Sequence, residues 1–440
     1  MIELVVRIGG FAHKISDLSE RDIQIKKHSM KILWVKPGKL LPLDSGGKLR
    51  TYNILRHLSA AHQLTYLSYY GGQQDKAYEH EILNHLPGAV CLCTGATDST
   101  IVGRGLDYFY RLFSSAPYAV SKFTAPQVQQ LLSRWIAQPC SDVAVCDFLA
   151  SSLNFPQNLL TPTALFQHNV ETVLWRRRAE MEVEWWDRTI AKIEYAKMRR
   201  FEPAQVRRFH HVIAVSDADR KTMSSMVDPS RISVVPTGVD LSQFRYDPNH
   251  EPREPLVIFT GSMDWKPNID GVEFFCKEIW PLILARIPKA RFRIVGRDPH
   301  SRVRDLASAS IEVTGNVPSI IEHLRESAVF VVPLRIGGGT RIKIYEAMAM
   351  GKATVSTTIG AEGLDVNDGR DILLADDTAR FADSVCSLLL DREMRRRLEK
   401  AAAATAAQYD WSAITERFVE ALQLTIEAAA GAQVTVPSVR

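Results

Sequence analysis

The chain of 440 residues is short of every feature that would name a redox or metal site at once. Its six cysteines, Cys91, Cys93, Cys140, Cys146, Cys276 and Cys386, form no Cys-x-x-Cys pair, and no histidine cluster lies at metal-ligand spacing. Most sit inside apolar runs, as buried thiols do in a reducing cytosol, and Cys91 and Cys93 read as alternate positions of one strand. No apolar run reaches the ~18 residues that a bilayer span requires. Residues 1–30 lack the apolar core and small-residue cleavage site of a signal peptide. A cytoplasmic location follows as the expectation, at the inner face of the membrane if an acceptor is lipid-linked. A Walker A loop is absent, as is a Gly-x-Gly-x-x-Gly fingerprint. Net charge is only +4, from 54 basic and 50 acidic residues, and gives no argument for nucleic acid.

What is present is an alternation. Short β-rich apolar runs, beginning at Lys31–Val35 and ending at Ile372–Leu374, are separated by helical patterns such as Lys48–Ala60 and Ala125–Ala137. Strict β–α alternation implies parallel sheets covered on both faces. At this length two domains are expected. The polar, proline-bearing stretch Ser242 to Pro255 divides the series in two. The expected fold is therefore α/β, two doubly wound Rossmann-like domains facing each other. Residues 1–30 are an extension outside the fold, 31–241 the first domain, 242–255 a linker, 256–408 the second domain, and 409–440 a helix and tail. Met30 could be the native start.

The most informative stretch runs from Pro333 to Gly351. A buried strand is followed by Gly337, Gly338 and Gly339, and then by a helical pattern opened by Thr340. A strand, a glycine loop and a helix start together form an anion site, because free backbone N–H groups and the helix dipole both favour negative charge. Arg341 and Lys343 place two cations where a helix alone would not want them, which suits an incoming diphosphate. Glu346, one turn on, can accept hydrogen bonds from sugar hydroxyls. A glycine turn before a basic surface helix explains the same residues.

A second glycine pair, Gly46-Gly47, follows the first strand and opens the first long helix. In open parallel sheets ligands bind at such turns, beyond the carboxyl ends of strands, although a capped turn would look the same. His168 follows another strand end and should project into the same cleft, with Asn169 and Glu171 beside it. Gly261 allows close approach to a ligand at the first strand end of the second domain, and Lys266 reads either as a phosphate cation or as a solvated loop lysine. Residues 175–211 hold ten Arg and Lys against six acidic residues, with Trp175, Trp185, Trp186, Tyr195 and Phe201 interleaved. This fits a long helix with one packed aromatic stripe and one solvated basic face. An anionic membrane is the alternative partner for that face.

Together these motifs resemble the family 4 glycosyltransferases, which adopt the two-Rossmann GT-B fold. The resemblance covers about residues 30–410. It is strongest from Gly261 to Gly363, where the Gly261 loop, the Gly337–Gly339 loop, the Glu346 helix and Ala361-Glu362-Gly363 fall in family order. It implies that Gly46 and Gly47 lie beside donor phosphate or acceptor and that His168 contacts the transferred sugar. Backbone at Gly338, Gly339 and Thr340 would hold sugar and diphosphate, and Glu346 the nucleotide ribose. It also implies transfer of a sugar from a nucleotide-diphosphate sugar to a glycan or lipid-linked acceptor, with retention of configuration, no cofactor and no obligatory metal.

Two departures stand out. Where many members carry a first glutamate, eight positions before Glu346, this chain has Gly338. Where many carry an arginine after the first glycine, it has Ser262. Arg341 is expected to supply the missing charge, which makes His168, Lys266 and Arg341 the catalytic candidates. Gly46, Gly47, Gly261, Ser262, Gly338, Gly339, Thr340, Lys343 and Glu346 are the donor-binding ones. A non-catalytic partner subunit and a sugar-nucleotide epimerase of the same fold are the competing readings. The base, the sugar, the acceptor and the oligomeric state are not legible.

Overall fold

The computed structural model describes residues 29–95, 101–138, 140–182, 184–336 and 341–434. The N-terminal extension up to residue 28, and Gly338, Gly339 and Thr340 of the expected anion loop, lie outside the described residues. Met30 itself is buried in the core.

Two parallel sheets form the framework. The first has seven strands in the order β3-β2-β1-β4-β5-β6-β7. These are β1 (Lys31–Pro37), β2 (Gln63–Tyr70), β3 (Ala89–Cys93), β4 (Val143–Asp147), β5 (Thr163–Phe166), β6 (His211–Ala214) and β7 (Ile232–Val234). The second has six, in the order β10-β9-β8-β11-β12-β13. These are β8 (Leu256–Thr260), β9 (Arg291–Val295), β10 (Ile311–Gly315), β11 (Val329–Val332), β12 (Ala353–Ser356) and β13 (Leu373–Leu374). Every pairing within them is parallel. In both sheets the strand order reverses beside the first strand of the domain, between β1 and β4 and between β8 and β11. Such reversals open a crevice at the carboxyl ends of the strands. The two crevices face each other.

The central strands are buried throughout, as parallel strands covered on both faces must be. β4, β5, β8 and β11 carry no exposed residue. Helix α1 (Gly46–Ala61) starts immediately after the β1 turn, capped by Ser45, whose hydroxyl accepts from the Lys48 amide.

Residues 175–211 depart from the expected single helix. They fold as a hairpin of α2 (Glu171–Met181) and α3 (Trp185–Arg208). The aromatic stripe is broken with it. Trp175 and Phe201 pack on the first domain's core, whereas Trp185 and Trp186 stack on each other and stay exposed.

The helix expected to begin at Thr340 is α4 (Ile342–Ala349), with Arg341 at the position just before it. The last helix, α5 (Trp411–Val434), returns to the first domain and packs on α1, β5 and β6. Its Phe418 ring stacks on Trp34 of β1 at 5.1 Å and meets Phe166 edge-on at 5.1 Å. The chain's end thereby closes the core under the first crevice. Gly238 lies directly against Trp411, where a Cβ would stand 2.6 Å from the indole.

Candidate functional site: a cationic cleft between the sheets

The two crevices enclose a cleft of about 610 Å³. One wall comes from the first domain: Asp44, Ser45, Gly46 and Gly47 of the β1 turn, Arg50 of α1, Phe148, His168 and Asn169. The other comes from the second: Ser262, Asp264, Trp265, Arg297, Arg341, Ile342 and Lys343. The walls touch. A Cβ on Gly46 would come within 3.3 Å of the Ile342 side chain across the gap, and one on Gly47 would strike Phe148 at 2.8 Å. A side chain at Gly47 would have to displace the Phe148 ring, and one at Gly46 would press on the tip of Ile342.

His168 is buried at the end of β5 and fully committed. Its Nε2 lies 2.7 Å from Asp147 Oδ1, and its Nδ1 lies 2.9 Å from Arg50 Nη1. A guanidinium can only donate, so Nδ1 accepts and Nε2 carries the proton given to Asp147. The network selects one neutral tautomer. Asp147 also accepts from Trp34 Nε1 at 3.1 Å and Thr51 Oγ1 at 2.8 Å. Phe148 stacks flat on the imidazole, 3.8 Å between centroids and 6° between planes. It does so from a backbone φ of 65° with ψ of 144°, a region nearly reserved for glycine, so local strain is held at this point of the cleft. Lys36, buried at the end of β1, lies 5.5 Å from the same phenyl ring.

On the opposite wall Lys343 folds inward. Its ammonium donates to Thr260 O at 2.7 Å and Asn268 Oδ1 at 3.0 Å, and lies 4.0 Å from the Phe259 ring centroid. Gly261 makes room for it, since a Cβ there would sit 2.9 Å from Nζ. Burial, with Arg341 nearby, lowers the Lys343 pKa to about 7. Burial also raises that of Glu346, one turn along α4, to about 7. Arg341 is 4 % exposed, its guanidinium 5.6 Å from the Trp265 ring centroid. Desolvation lowers it to about 10.

Ser262, where an arginine was missed, accepts from Arg297 Nε at 3.0 Å, and Arg297 Nη2 reaches across to the Asp44 carbonyl at 2.9 Å. A cation therefore does stand beside Ser262, delivered from the end of β9. Lys266 is not part of the cleft wall. Its side chain is 69 % exposed and reaches Glu182 of the first domain at 3.4 Å. A further cross-domain pair joins Arg177 to both oxygens of Glu362, at 2.8 and 2.6 Å.

Sequence reasoning missed Arg50, Asp147, Phe148 and Trp265 as wall residues or their support, and placed Arg297 only among positions around a nucleotide base. Asp147 and Phe148 could have been found, because they end a strand beside the reversal. Arg50 lies one turn inside a helix, where periodicity reads it as ordinary.

Two family models match the chain. One, described as Glycosyltransferase Family 4, covers residues 45–243, and the other, Glycosyl transferases group 1, covers residues 254–391. An uncharacterized 44.6 kDa protein in the cps region of Klebsiella pneumoniae is 26% identical over 36% of this chain and 41% of its own length. A phosphatidyl-myo-inositol mannosyltransferase of Mycolicibacterium smegmatis is 27% identical over 51% of this chain and 59% of its own. The chain spans about half the length of the curated relatives it matches. Among solved structures, Anabaena HepE, crystallised with UDP and glucose, superposes with a TM-score of 0.61 at 15% identity, over 90% of this chain and 99% of its own.

The geometry of His168 makes a direct prediction. Burial foremost, with Arg50 and Lys36 adding repulsion, lowers its pKa to about 4 against the pull of Asp147. An unfolded chain takes up that proton near 6.5. The contribution to stability is therefore complete above pH 6.5 and is lost as pH falls from there through about 4. NMR of the ring should show a neutral Nε2–H imidazole at pH 6, and a titration midpoint at or above 6 would contradict the network.

Two crevices face each other over one cationic cleft, two family models cover most of the chain, and the GT-B structures superpose over nine-tenths of it: the chain belongs to the family 4 glycosyltransferases of the GT-B fold.

Proposed function

We propose that the chain transfers a sugar from a nucleotide-diphosphate sugar to a glycan or lipid-linked acceptor, in cell-surface polysaccharide or glycolipid synthesis. The observation that carries this reading is the convergence of Lys343, Arg341 and Arg297 on the second wall, opposite the Gly46-Gly47 turn. Cations desolvated in a cleft favour a polyanion strongly, because few water contacts remain to be displaced. The names and ligands of the relatives support it: one is called a mannosyltransferase, one comes from a cps region, and one is crystallised with UDP and glucose.

Retention of configuration and independence of metal belong to the same reading. Three cationic side chains can neutralise a departing diphosphate in the role a divalent ion plays elsewhere. His168 has no ring nitrogen left to accept an acceptor proton. That supports front-face displacement, with the leaving phosphate taking the proton from the acceptor hydroxyl. Gly338, Gly339 and Thr340 would complete the phosphate cradle with backbone amides, and Glu346 would receive the ribose.

The test is nucleoside diphosphate release from a panel of nucleotide sugars, with and without EDTA, and the anomeric configuration of the product by NMR. Turnover in EDTA with retention is expected. Arg341→Ala should slow transfer roughly 100-fold or more while leaving the melting temperature nearly unchanged. Full turnover in that variant would remove Arg341 from the mechanism, and binding without release from any donor would favour the non-catalytic partner reading.

Proton linkage offers an independent measurement. Lys343 titrates near 7 in the free cleft, so at pH 8 it is mostly neutral. A bound diphosphate would restore its proton, and UDP or GDP binding at pH 8 should take up close to one proton per site. Calorimetry in buffers of different ionisation enthalpy reads this directly, and Lys343→Met should abolish it.

Among the described residues no helix is long and apolar enough to cross a membrane. A lipid-linked acceptor would nevertheless bring the first domain to a membrane surface. Phe109, Tyr110, Phe113, Trp185 and Trp186 are exposed there, with Arg176, Arg178, Arg188 and Lys192 on α2 and α3 exposed beside the indoles. Aromatic rings with interspersed cations suit an anionic interface. Co-sedimentation with anionic vesicles should weaken when residues 176–178 are reversed in charge, and equal binding would count against these helices.

A further inference from the structure

The first-domain wall holds a buried cation that the donor diphosphate does not account for. Arg50 is 3 % exposed and lines the cleft. Its one hydrogen bond goes from Nη1 to the neutral imidazole of His168. Among the described residues its buried Nε has no hydrogen-bond partner. The nearest opposing charges are Asp147 and Asp219, and neither forms an ion pair with it. Asp147 accepts from Trp34, Thr51 and His168, while Asp219 accepts from Ser216. A second buried cation, Lys36, stands behind Phe148, donating only to the Pro37 carbonyl. This is costly. A guanidinium taken out of water loses more than hydrogen bonds to neutral groups return, and such groups are normally paired.

The position of this charge says what would pair it. Lys343, Arg341 and Arg297 form the wall that receives the diphosphate. Arg50 lies on the opposite wall, one turn into α1 from Gly46-Gly47 and against His168. A ligand whose diphosphate rests on the second wall presents its sugar to the first. Neutral hydroxyls there would leave the guanidinium's charge uncompensated, whereas a carboxylate matches its planar donor geometry.

We infer that Arg50 receives the carboxylate of an acidic sugar, so that the cleft handles a uronic acid, either as the transferred sugar or as the acceptor residue beside it. This rests on the cleft being a nucleotide-sugar site. Two sources of one carboxylate remain, and binding measurements separate them. On the donor side, calorimetry compares UDP-glucose with UDP-glucuronate and GDP-mannose with GDP-mannuronate. On the acceptor side, free glucuronate and free glucose are titrated into the UDP-saturated and GDP-saturated protein. If the carboxylate is on the donor, the uronate nucleotide binds about tenfold tighter than its neutral counterpart. If it is on the acceptor, free glucuronate binds the nucleoside-diphosphate complex about tenfold tighter than glucose does.

In either arm Arg50→Gln should erase the preference, and Arg50→Lys should keep part of it. The affinity for UDP or GDP alone should stay within about threefold of wild type in both variants, which separates a lost carboxylate contact from a collapsed cleft. Wild-type protein with no uronate preference in either arm overturns the assignment, whether or not the variants fold. Failure to bind UDP or GDP at all overturns the nucleotide-sugar reading instead.

Discussion

Positive charge held out of water is the constraint on which the cleft depends. Lys343, Arg341 and Arg50 are all shielded from solvent, and burial lowers the pKa of each. A fold gains nothing from such an arrangement by itself, since each desolvated cation opposes folding. Its neighbours only reduce the penalty. Lys343 is cushioned by two oxygen acceptors and a phenyl face, Arg341 by the Trp265 ring, and Arg50 by the lone pair of a histidine. The free energy of folding must cover the difference, and the extensive parallel-sheet cores beneath the two walls are what can do so. In return the cleft is already organised when an anion enters, which is the condition under which electrostatics accelerates a reaction most.

The second consequence is geometric. Cations on facing walls repel, so the domains need other means of staying together. Those means ring the cleft: Arg297 to the Asp44 carbonyl, Arg177 to Glu362 and Lys266 to Glu182. Each is partly exposed and individually modest in strength. Contacts of that strength leave the cleft able to open. The returning helix α5 does a different job. It seals the first domain's core with Phe418 against Trp34, tying the chain's end to the strand that bears Lys36 and leads into the Gly46-Gly47 turn.

How far the sequence alone reached follows from what each signal depends on. The strands were legible because parallel strands buried on both faces are continuous apolar runs, and Leu256–Thr260 and Val329–Val332 end where they were expected to end. Gly46, Gly47 and Gly261 stood out because a glycine after a strand implies close approach; a Cβ would collide with Phe148 at Gly47 and with Asn268 and Lys343 at Gly261, and would make a tight contact with Ile342 at Gly46. Lys266 shows the limit of that logic. It shares its loop with Trp265, yet the helix that starts there turns its side chain outward. Arg297 shows the converse. The charge absent at Ser262 arrives from a strand end 35 residues away, and no local spacing encodes such a replacement. Arg50 was invisible for the same reason, because its meaning lies in a tertiary network with His168.

That network also bears on how the histidine should be understood. A histidine in a cleft invites a reading as proton carrier, but here the chemistry is that of a fixed surface. Asp147 takes the Nε2 proton, Arg50 occupies Nδ1, and Phe148 covers one face from a strained backbone. With both nitrogens spent, what His168 offers a ligand is its shape and the charge it positions. It holds the guanidinium of Arg50 against the cleft, as Asn268 holds the ammonium of Lys343 on the opposite wall. The two walls are thus built alike: a neutral polar side chain, fixed by its own partners, anchors a buried cation. On the second wall Lys343 lies beside another buried cation, Arg341. Repetition of the device on the facing wall is what argues that the ligand is charged at both ends.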